Sequence, residues 1–350
     1  MQELFNKIIR DGGSISYSDY MEEVLYHPQK GYYMKEQSKI GRKGDFLTTS
    51  SYSELFGKHF ARLYSDLVES GCSHSAFMEA GGGTGAFLQS FLDERRRTGE
   101  ELSDNIYSLE KSPYHASLQK GPVTALSSLN DLQSPFSGVF FANELYDAFP
   151  VDVITKKNGS LYEVQVGIYD GKLCEVLVLI KNGSLTDYLK WASLHPCEGQ
   201  RIEIPLGMLK FMEELDKHLR QAFIIMIDYG YYNEELMEPH LRDGSLRGYS
   251  RHSLIKDPLL FPYQMDLTSH VHFDAYKKKA EELGWKSHFE GRQNDFLWKT
   301  GFADNLKESS DPFSKAGKTN RAAVSLLSGS GISQAFHVFI HEKVYVKGEC

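Results

Sequence analysis

Residues 77–88 read Phe-Met-Glu-Ala-Gly-Gly-Gly-Thr-Gly-Ala-Phe-Leu. A short apolar run ends at Glu79, glycines fill most of residues 81–85, and the apolar spacing from Phe87 onward is typical of a helix. Glycine is needed where the backbone takes a positive φ or where a ligand must approach the main chain closely. The first turn of the helix then offers unpaired N–H groups. The stretch therefore predicts a strand, a tight turn and a helix, with a nucleotide-like cofactor at the turn.

The chain on either side of this turn alternates between strand-like and helix-like patterns. Apolar runs at 106–109, 138–142 and 223–227 are each followed by polar residues. Those residues are Glu110, Asn143-Glu144 and Asp228. Because strands that alternate with helices form parallel sheets with helices on both faces, the sequence predicts an α/β fold.

A second pattern interrupts the first after residue 150. Between residues 151 and 179, strand-like runs are broken by Asn158-Gly159 and Asp170-Gly171, the strongest short hairpin signals. Near the N-terminus, helical spacing precedes a glycine-broken polar loop at 40–49. We therefore predict three parts: an N-terminal helical arm with a lid loop at 1–70, a cofactor-binding core at 71–150 and 218–350, and an inserted, mostly antiparallel subdomain at 151–217.

Composition argues against several classes of partner. The chain has 350 residues, a formal net charge of -8 and a pI of about 5.9, which disfavours binding to a nucleic-acid backbone or an anionic membrane. The four cysteines form no Cys-x-x-Cys pair, so neither a zinc site nor a disulfide framework is expected. No apolar run is long enough to cross a bilayer, and no leader is visible. We expect a cytoplasmic protein with no nucleic-acid partner and no membrane insertion, and its oligomeric state stays open.

The acidic residues around the turn bear on which cofactor it holds. Gly81, Gly83 and Ala86 satisfy the dinucleotide pattern G-x-G-x-x-A, which alone is weak. Glu79 would repel a pyrophosphate, whereas S-adenosylmethionine carries an ammonium group that tolerates a nearby carboxylate. Glu110 follows the next strand, where it can accept hydrogen bonds from both ribose hydroxyls. Together these features favour S-adenosylmethionine, although either acid alone could be an ordinary charge at a strand end.

Two longer motifs carry a family resemblance. Residues 79–85, together with residues 143–151, Asn-Glu-Leu-Tyr-Asp-Ala-Phe-Pro-Val, resemble the MidA-type methyltransferases, which include the mitochondrial complex I assembly-factor methyltransferase. Segments such as 31–33 and 244–249 agree, and the resemblance covers nearly the whole chain. It implies a class I, Rossmann-like sheet that binds S-adenosylmethionine, with the inserted subdomain described above. It also implies methylation of a protein arginine, which in the mitochondrial members belongs to a subunit of respiratory complex I.

The chain departs from the family pattern at two places. Gly82 and Thr84 stand where the family usually has proline and arginine, and Ser50-Ser51 stands where it usually has Pro-Glu. The second departure removes a carboxylate near the lid loop, so it affects the acceptor more than the cofactor. Two alternatives therefore stay open: a methyltransferase for a small molecule, and a catalytically weak assembly factor that binds a partner protein.

The predicted site residues follow the carboxyl ends of the strands, where open α/β sheets bind ligands. A guanidinium is a poor nucleophile, and carboxylates that bind it bidentately can orient one nitrogen. The predicted catalytic residues are Glu144 first, then Asp147, Asn143 and Asp228. The predicted cofactor-binding residues are Glu79, Gly81, Gly83, Gly85, Glu110 and Asn143. Asp147 could instead cap the following helix, and Asp228 could instead form a structural pair with Arg247.

A metal site is the weaker interpretation of one further segment. Asp266, His270 and His272 would share one face of a strand, and two imidazoles with a carboxylate can bind a metal ion. Without another ligand at suitable spacing, packing roles are favoured, and we predict no metal.

Overall fold

The computed structural model describes residues 1–36, 50–70, 76–99, 105–181, 183–250, 253–309, 311–328 and 334–344. The predicted lid loop at 40–49 therefore lies outside the described residues. The helices are α1 (Gln2–Arg10), α2 (Tyr17–Tyr26), α3 (Ser50–Ser70), α4 (Ala86–Thr98), α5 (Pro113–Leu118), α6 (Ser184–Trp191), α7 (Leu206–His218), α8 (Asn233–Leu236), α9 (Phe273–Glu282), α10 (Gln293–Lys299) and α11 (Lys315–Leu327). The strands are β1 (Ser14–Ser16), β2 (Ala76–Ala80), β3 (Ile106–Leu109), β4 (Thr124–Leu126), β5 (Phe136–Asn143), β6 (Asp152–Lys157), β7 (Ser160–Tyr169), β8 (Lys172–Leu179), β9 (Arg201–Ile204), β10 (Leu219–Tyr231), β11 (Arg247–Ser250), β12 (Ser253–Ile255), β13 (Asp266–Thr268), β14 (Val271–His272), β15 (Lys286–Arg292) and β16 (Phe336–Lys343).

These elements form two compact units. The hairpin unit contains residues 1–35, 146–212 and 230–279, and the sheet unit contains residues 36–145, 213–229 and 280–350. This grouping differs from the three predicted parts, because β1 pairs with β7 and ties the N-terminal helices to the inserted hairpins. The end of β10 likewise pairs with β14 inside the hairpin unit.

The sheet unit is organised around one largely parallel sheet. Its strand order is β15-β16-β10-β5-β2-β3-β4, with β2 between β5 and β3. Strands β4, β3, β2, β5 and β10 run parallel, whereas β16 is antiparallel to both of its neighbours. The α/β prediction is confirmed, and the carboxyl ends of β2, β3, β5 and β10 share one edge of the sheet.

An aromatic core fixes the helix that follows the glycine turn. Every residue of β2 is buried. On the face covered by α4, the ring of Phe77 lies 4.2 Å from that of Phe91, and the ring of Phe87 lies 4.4 Å from that of Phe141 and nearly parallel to it. Helix α3 packs closely on α4, since a Cβ on Gly57 would come within 2.6 Å of the Phe87 carbonyl oxygen. The start of α4 is therefore held rigidly beside β2.

The hairpin unit is mostly antiparallel, as predicted for the insertion. Strands β6, β7 and β8 are joined by two tight turns, and β9 pairs with β6 on the far side. Asn158 and Gly159 take φ values of 52° and 76°, and Asp170 and Gly171 take 48° and 69°. Two successive residues at positive φ match the right-handed twist of a hairpin, which is why Asn-Gly and Asp-Gly are favoured there. A smaller sheet has the strand order β12-β11-β13.

Among the described residues, none of the helices combines the length and the apolar character needed to cross a bilayer.

Candidate functional site

The glycine turn lies at the carboxyl end of β2, and three of its glycines adopt left-handed φ values. These are 72° for Gly81, 54° for Gly83 and 74° for Gly85, which is the N-cap of α4. A Cβ on Gly81 would lie 2.9 Å from Leu145 Cδ1, and one on Gly85 would lie 2.8 Å from Gln119 Cγ. The left-handed φ therefore disfavours a side chain at both positions, and at Gly85 the Gln119 side chain also occupies the space.

Glu110 anchors the turn from the neighbouring strand. Its Oε2 accepts the N–H of Gly83 at 2.9 Å, and its Oε1 accepts the N–H of Ser112 at 2.8 Å. Gln119 Nε2 donates to the Gly83 carbonyl oxygen at 2.9 Å, a contact that the sequence analysis missed. The half-buried Glu110 therefore ties the end of β3 to the glycine turn.

Glu79 carries a buried carboxyl group directly beneath the turn. Only 5% of the residue is exposed, and Oε2 has no hydrogen-bond partner among the described residues. The carboxyl group lies against Gly82, where a Cβ would overlap it. Burial, and after it the negative charge of Glu110, raises the pKa of Glu79 to about 8. A buried acceptor without a donor is costly, so the position suits a ligand that brings a donor or a positive charge.

The Asn143-Glu144 pair lies at the same edge of the sheet. Asn143 is the last residue of β5 and lies opposite Ile227 of β10, whose carbonyl oxygen accepts the Glu144 N–H at 2.9 Å. Glu144 has a φ of 51°, the left-handed region that glycine favours. The Asn143 amide donates to Glu144 Oε1 at 3.3 Å. A glutamate held at positive φ costs about 1–2 kcal/mol, and such strain concentrates at functional sites.

The two remaining acids occupy different surroundings. Asp228 is fully buried, and its Oδ1 accepts the N–H of Tyr229 at 2.9 Å. The predicted strand ended just before Asp228, but β10 continues to Tyr231 because its last two residues pair with β14. Asp147 belongs to the hairpin unit and lies within the short 3-10 helix Tyr146–Ala148, so it is not the cap of a helix.

Two tyrosines, Tyr33 and Tyr249, lie near the acids of the hairpin unit, and neither was among the predicted site residues. The Tyr33 hydroxyl donates to Asp266 Oδ1 at 2.5 Å. Burial and the charge of Asp266 hold the pKa of Tyr33 well above its usual value. Burial, followed by the charge of Asp147, also raises the pKa of Tyr249. The only sequence signal for Tyr33 was its place in the family-like segment 31–33.

The residues of the alternative metal site are engaged in other contacts. His272 Nδ1 lies 2.8 Å from the Tyr188 hydroxyl, and the His270 ring stacks on Tyr231 with centroids 4.5 Å apart. Burial lowers the pKa of both histidines to about 4, so both are neutral at pH 7. No group of three His, Cys, Asp or Glu side chains within the described ranges is arranged to hold a metal ion.

Comparison with known proteins identifies the family. Residues 55–290, more than half of the chain, match the model of an S-adenosyl-L-methionine-dependent methyltransferase family. The chain belongs to this family. Its cofactor is therefore S-adenosylmethionine, which confirms the cofactor prediction, and the dinucleotide alternative is set aside.

A solved structure supports the same fold over the whole chain. The methyltransferase is 27% identical to a Burkholderia thailandensis protein whose crystal structure contains S-adenosyl-homocysteine, with a TM-score of 0.89. The match covers 99% of this chain and 92% of that one. The predicted class I, Rossmann-like sheet is thereby confirmed.

Curated relatives carry a more specific name. The methyltransferase is 27% identical over 314 residues to the Drosophila melanogaster protein arginine methyltransferase NDUFAF7 homolog, with 78% of this chain and 68% of the relative covered. It is 26% identical over 308 residues to the human protein arginine methyltransferase NDUFAF7, with 78% and 67% covered. Both relatives are named mitochondrial, which contradicts our expectation of a cytoplasmic protein. That expectation was wrong because it rested on composition and on the pattern of the first residues, which are weak indicators of compartment.

Proposed function

We propose that this methyltransferase modifies an arginine side chain of a protein partner. The observation that carries the acceptor assignment is the left-handed φ of 51° at Glu144, directly after a central strand. Such a conformation is maintained against its energetic cost only where the surrounding structure holds it, and it directs the carboxylate away from the regular strand path. The names of the Drosophila and human relatives support arginine as the acceptor.

The residues around the glycine turn fit the cofactor. S-adenosylmethionine supplies an electrophilic methyl group on a sulfonium. Glu110 would accept the ribose hydroxyls while it stays bonded to the Gly83 N–H, and Glu79, whose Oε2 has no partner among the described residues, would hold the ammonium group. Gly81 and Gly83 keep the main chain accessible because neither carries a Cβ. Asn143, at the end of β5, would orient the bound cofactor.

On the acceptor side, the carboxylates act on the guanidinium. Glu144 binds it through charge-assisted hydrogen bonds, directs one nitrogen toward the reacting methyl group, and accepts the proton that this nitrogen loses. The Asn143 amide holds Glu144 Oε1 in place. Asp147 and Asp228 are secondary candidates for binding the acceptor, and their roles stay predictions.

Calorimetry tests the cofactor residues. Glu110→Ala removes both hydroxyl contacts and the anchor of the turn, so affinity for S-adenosylmethionine falls by about 2–3 kcal/mol, or roughly 30- to 150-fold. Glu281→Gln, a change at an exposed acid on α9, is the matched control and leaves affinity unchanged. Undiminished binding by the Glu110→Ala chain would contradict the assignment.

Methylation of the native target tests Glu144. Glu144→Gln keeps the shape of the side chain but removes its charge, so methylation falls steeply while cofactor affinity is retained. Full activity of this variant would refute the catalytic assignment even if the cofactor residues were correct. Mass spectrometry of the proteome with and without the protein identifies the mark that is lost. We predict that the target is a respiratory-complex subunit, on the strength of the family resemblance; an unchanged set of protein marks would favour a small-molecule acceptor.

A further inference from the structure

The outer strand of the hairpin unit exposes an unusual run of apolar side chains. In β8, the exposed fractions are 37% for Val176, 40% for Leu177, 38% for Val178 and 48% for Leu179. Successive residues of a strand point to opposite faces, so both faces are open at this end of the strand. Natural edge strands are normally protected by charges, prolines or bulges. The sequence between 176 and 180 contains none of these protections.

The backbone of β8 is available on one side. Strand β8 pairs with β7 in a regular antiparallel register, and among the described residues it pairs with no other strand. The Ile180 N–H donates to the Leu161 carbonyl oxygen at 2.9 Å. In an antiparallel strand, alternate residues direct both backbone groups to the same side. Even-numbered residues of β8 therefore face β7, and odd-numbered residues face the open edge.

We propose that this edge pairs with β8 of a second copy of the chain, antiparallel, with the two-fold axis at Val178. A symmetric pair must place odd-numbered residues opposite odd-numbered residues, so the axis passes through a residue and not between two. With Val178 on the axis, Leu177 lies opposite Leu179 of the second copy, and Glu175 lies opposite Lys181. The apolar residues are then covered by their own equivalents, with an ion pair at each end.

Charge complementarity selects this register over its neighbours. An axis at Leu177 would place Glu175 opposite Leu179 and Lys181 opposite Leu173, leaving both charges against apolar partners. The Glu175 carboxylate is already held by the Arg201 guanidinium at 2.7 and 2.8 Å and by the Tyr17 hydroxyl at 2.6 Å. A carboxylate has about four acceptor positions, so one remains for the ammonium group of Lys181. Glu175 is thus held in place before the second copy arrives.

Cysteine cross-linking tests the position of the axis. Val178→Cys brings two thiols face to face in a non-hydrogen-bonded pair, where Cα atoms lie about 4.5 Å apart, within the range of a disulfide. Val176→Cys is the matched control, because its exposure is the same within a percentage point but it lies opposite Ile180 of the second copy. The unsubstituted chain shows the background from its own cysteines. We expect a covalent dimer on non-reducing gels for Val178→Cys alone; equal cross-linking of both variants would overturn the register.

Sedimentation tests the association itself. The native chain is expected to sediment at twice the 39.8 kDa of one copy. Leu177→Lys with Leu179→Lys places like charges opposite each other and gives a monomer, whereas Leu177→Lys with Leu179→Glu removes the same apolar groups but restores the dimer. Retained binding of S-adenosylmethionine shows that each variant is folded. A native chain that stays monomeric would overturn the proposal, and so would two double variants that behave alike. A monomeric native chain would instead indicate that the edge binds an extended segment of another protein.

Discussion

Replacement of Glu79 by glutamine measures how the ionisation of this buried carboxyl group changes the free energy of unfolding. Glu79 is 5% exposed, and Oε2 has no hydrogen-bond donor among the described residues. Its pKa is raised from 4.5 to about 8 in the folded chain. Glutamine has nearly the same shape and is neutral at every pH. The Glu79→Gln chain should therefore keep its fold and lose one source of pH dependence.

The sign and size of the effect follow from proton linkage. Between pH 4.5 and about 8, the folded state keeps the proton on Glu79 while the unfolded state has lost it. The unfolded state then binds fewer protons, so the free energy of unfolding decreases as the pH rises. The contribution of the protonated Glu79 to the free energy of unfolding is fully present below pH 4.5 and is lost as the pH rises through about 8. At about 1.4 kcal/mol per pH unit, the total loss is about 5 kcal/mol.

The assay is urea unfolding of the cofactor-free chain at intervals between about pH 5 and 9, chosen to span this window. The difference in free energy of unfolding between the Glu79→Gln chain and the native chain should increase steadily in favour of glutamine. Glu110→Gln serves as a second variant. It removes the negative charge that helps to raise the pKa of Glu79, so the loss of stability with rising pH should occur at lower pH. Parallel pH profiles for the native and Glu79→Gln chains would refute the buried, protonated state of Glu79.

Three other substitutions test different parts of the structure. Gly57→Val drives a side chain into the backbone of α4 beside Phe87 and should lower stability by about 1–3 kcal/mol in thermal unfolding; an unchanged melting temperature would contradict the close packing of α3 and α4. Glu144→Gly relieves the left-handed φ, so stability should stay level or rise by about 1 kcal/mol while methylation is lost, and a marked loss of stability would argue against strain. Glu203→Ala strips a buried carboxylate from the N–H and hydroxyl groups of Ser245, with an expected cost of about 3–5 kcal/mol by urea unfolding; a loss below about 1 kcal/mol would show that the contact is dispensable.

Local signals in the sequence predicted local structure well. The strand, turn and helix at 77–88 depend on glycine spacing and apolar periodicity within one short segment. The two hairpin turns depend on Asn158-Gly159 and Asp170-Gly171, whose residue types accept positive φ at little cost. In each case, the chemistry that fixes the conformation lies within a few residues of it.

The sequence did not predict which distant segments of the chain pair with each other. The Ser14 hydroxyl donates to Gln165, 151 residues away, and the Tyr33 hydroxyl donates to Asp266, 233 residues away. No periodicity encodes which distant segments meet, so the N-terminal arm was predicted as a separate part although it joins the inserted strands. The same limit hid the positive φ of Glu144, whose N–H bonds to the carbonyl oxygen of Ile227 in another strand.

The departure from the family pattern at Gly82 has a physical counterpart in Glu79. Proline, which the family usually has there, carries a Cβ, and a Cβ at Gly82 would overlap the Glu79 carboxyl group. With glycine, the carboxyl group lies under the turn, away from water, and this burial is the larger cause of its raised pKa. A proline at this position would force Glu79 into another rotamer. Gly82 and the buried, protonated state of Glu79 are therefore one coupled feature. In a Gly82→Pro chain, the free energy of unfolding should lose the pH dependence that comes from Glu79, although residue 79 is still glutamate.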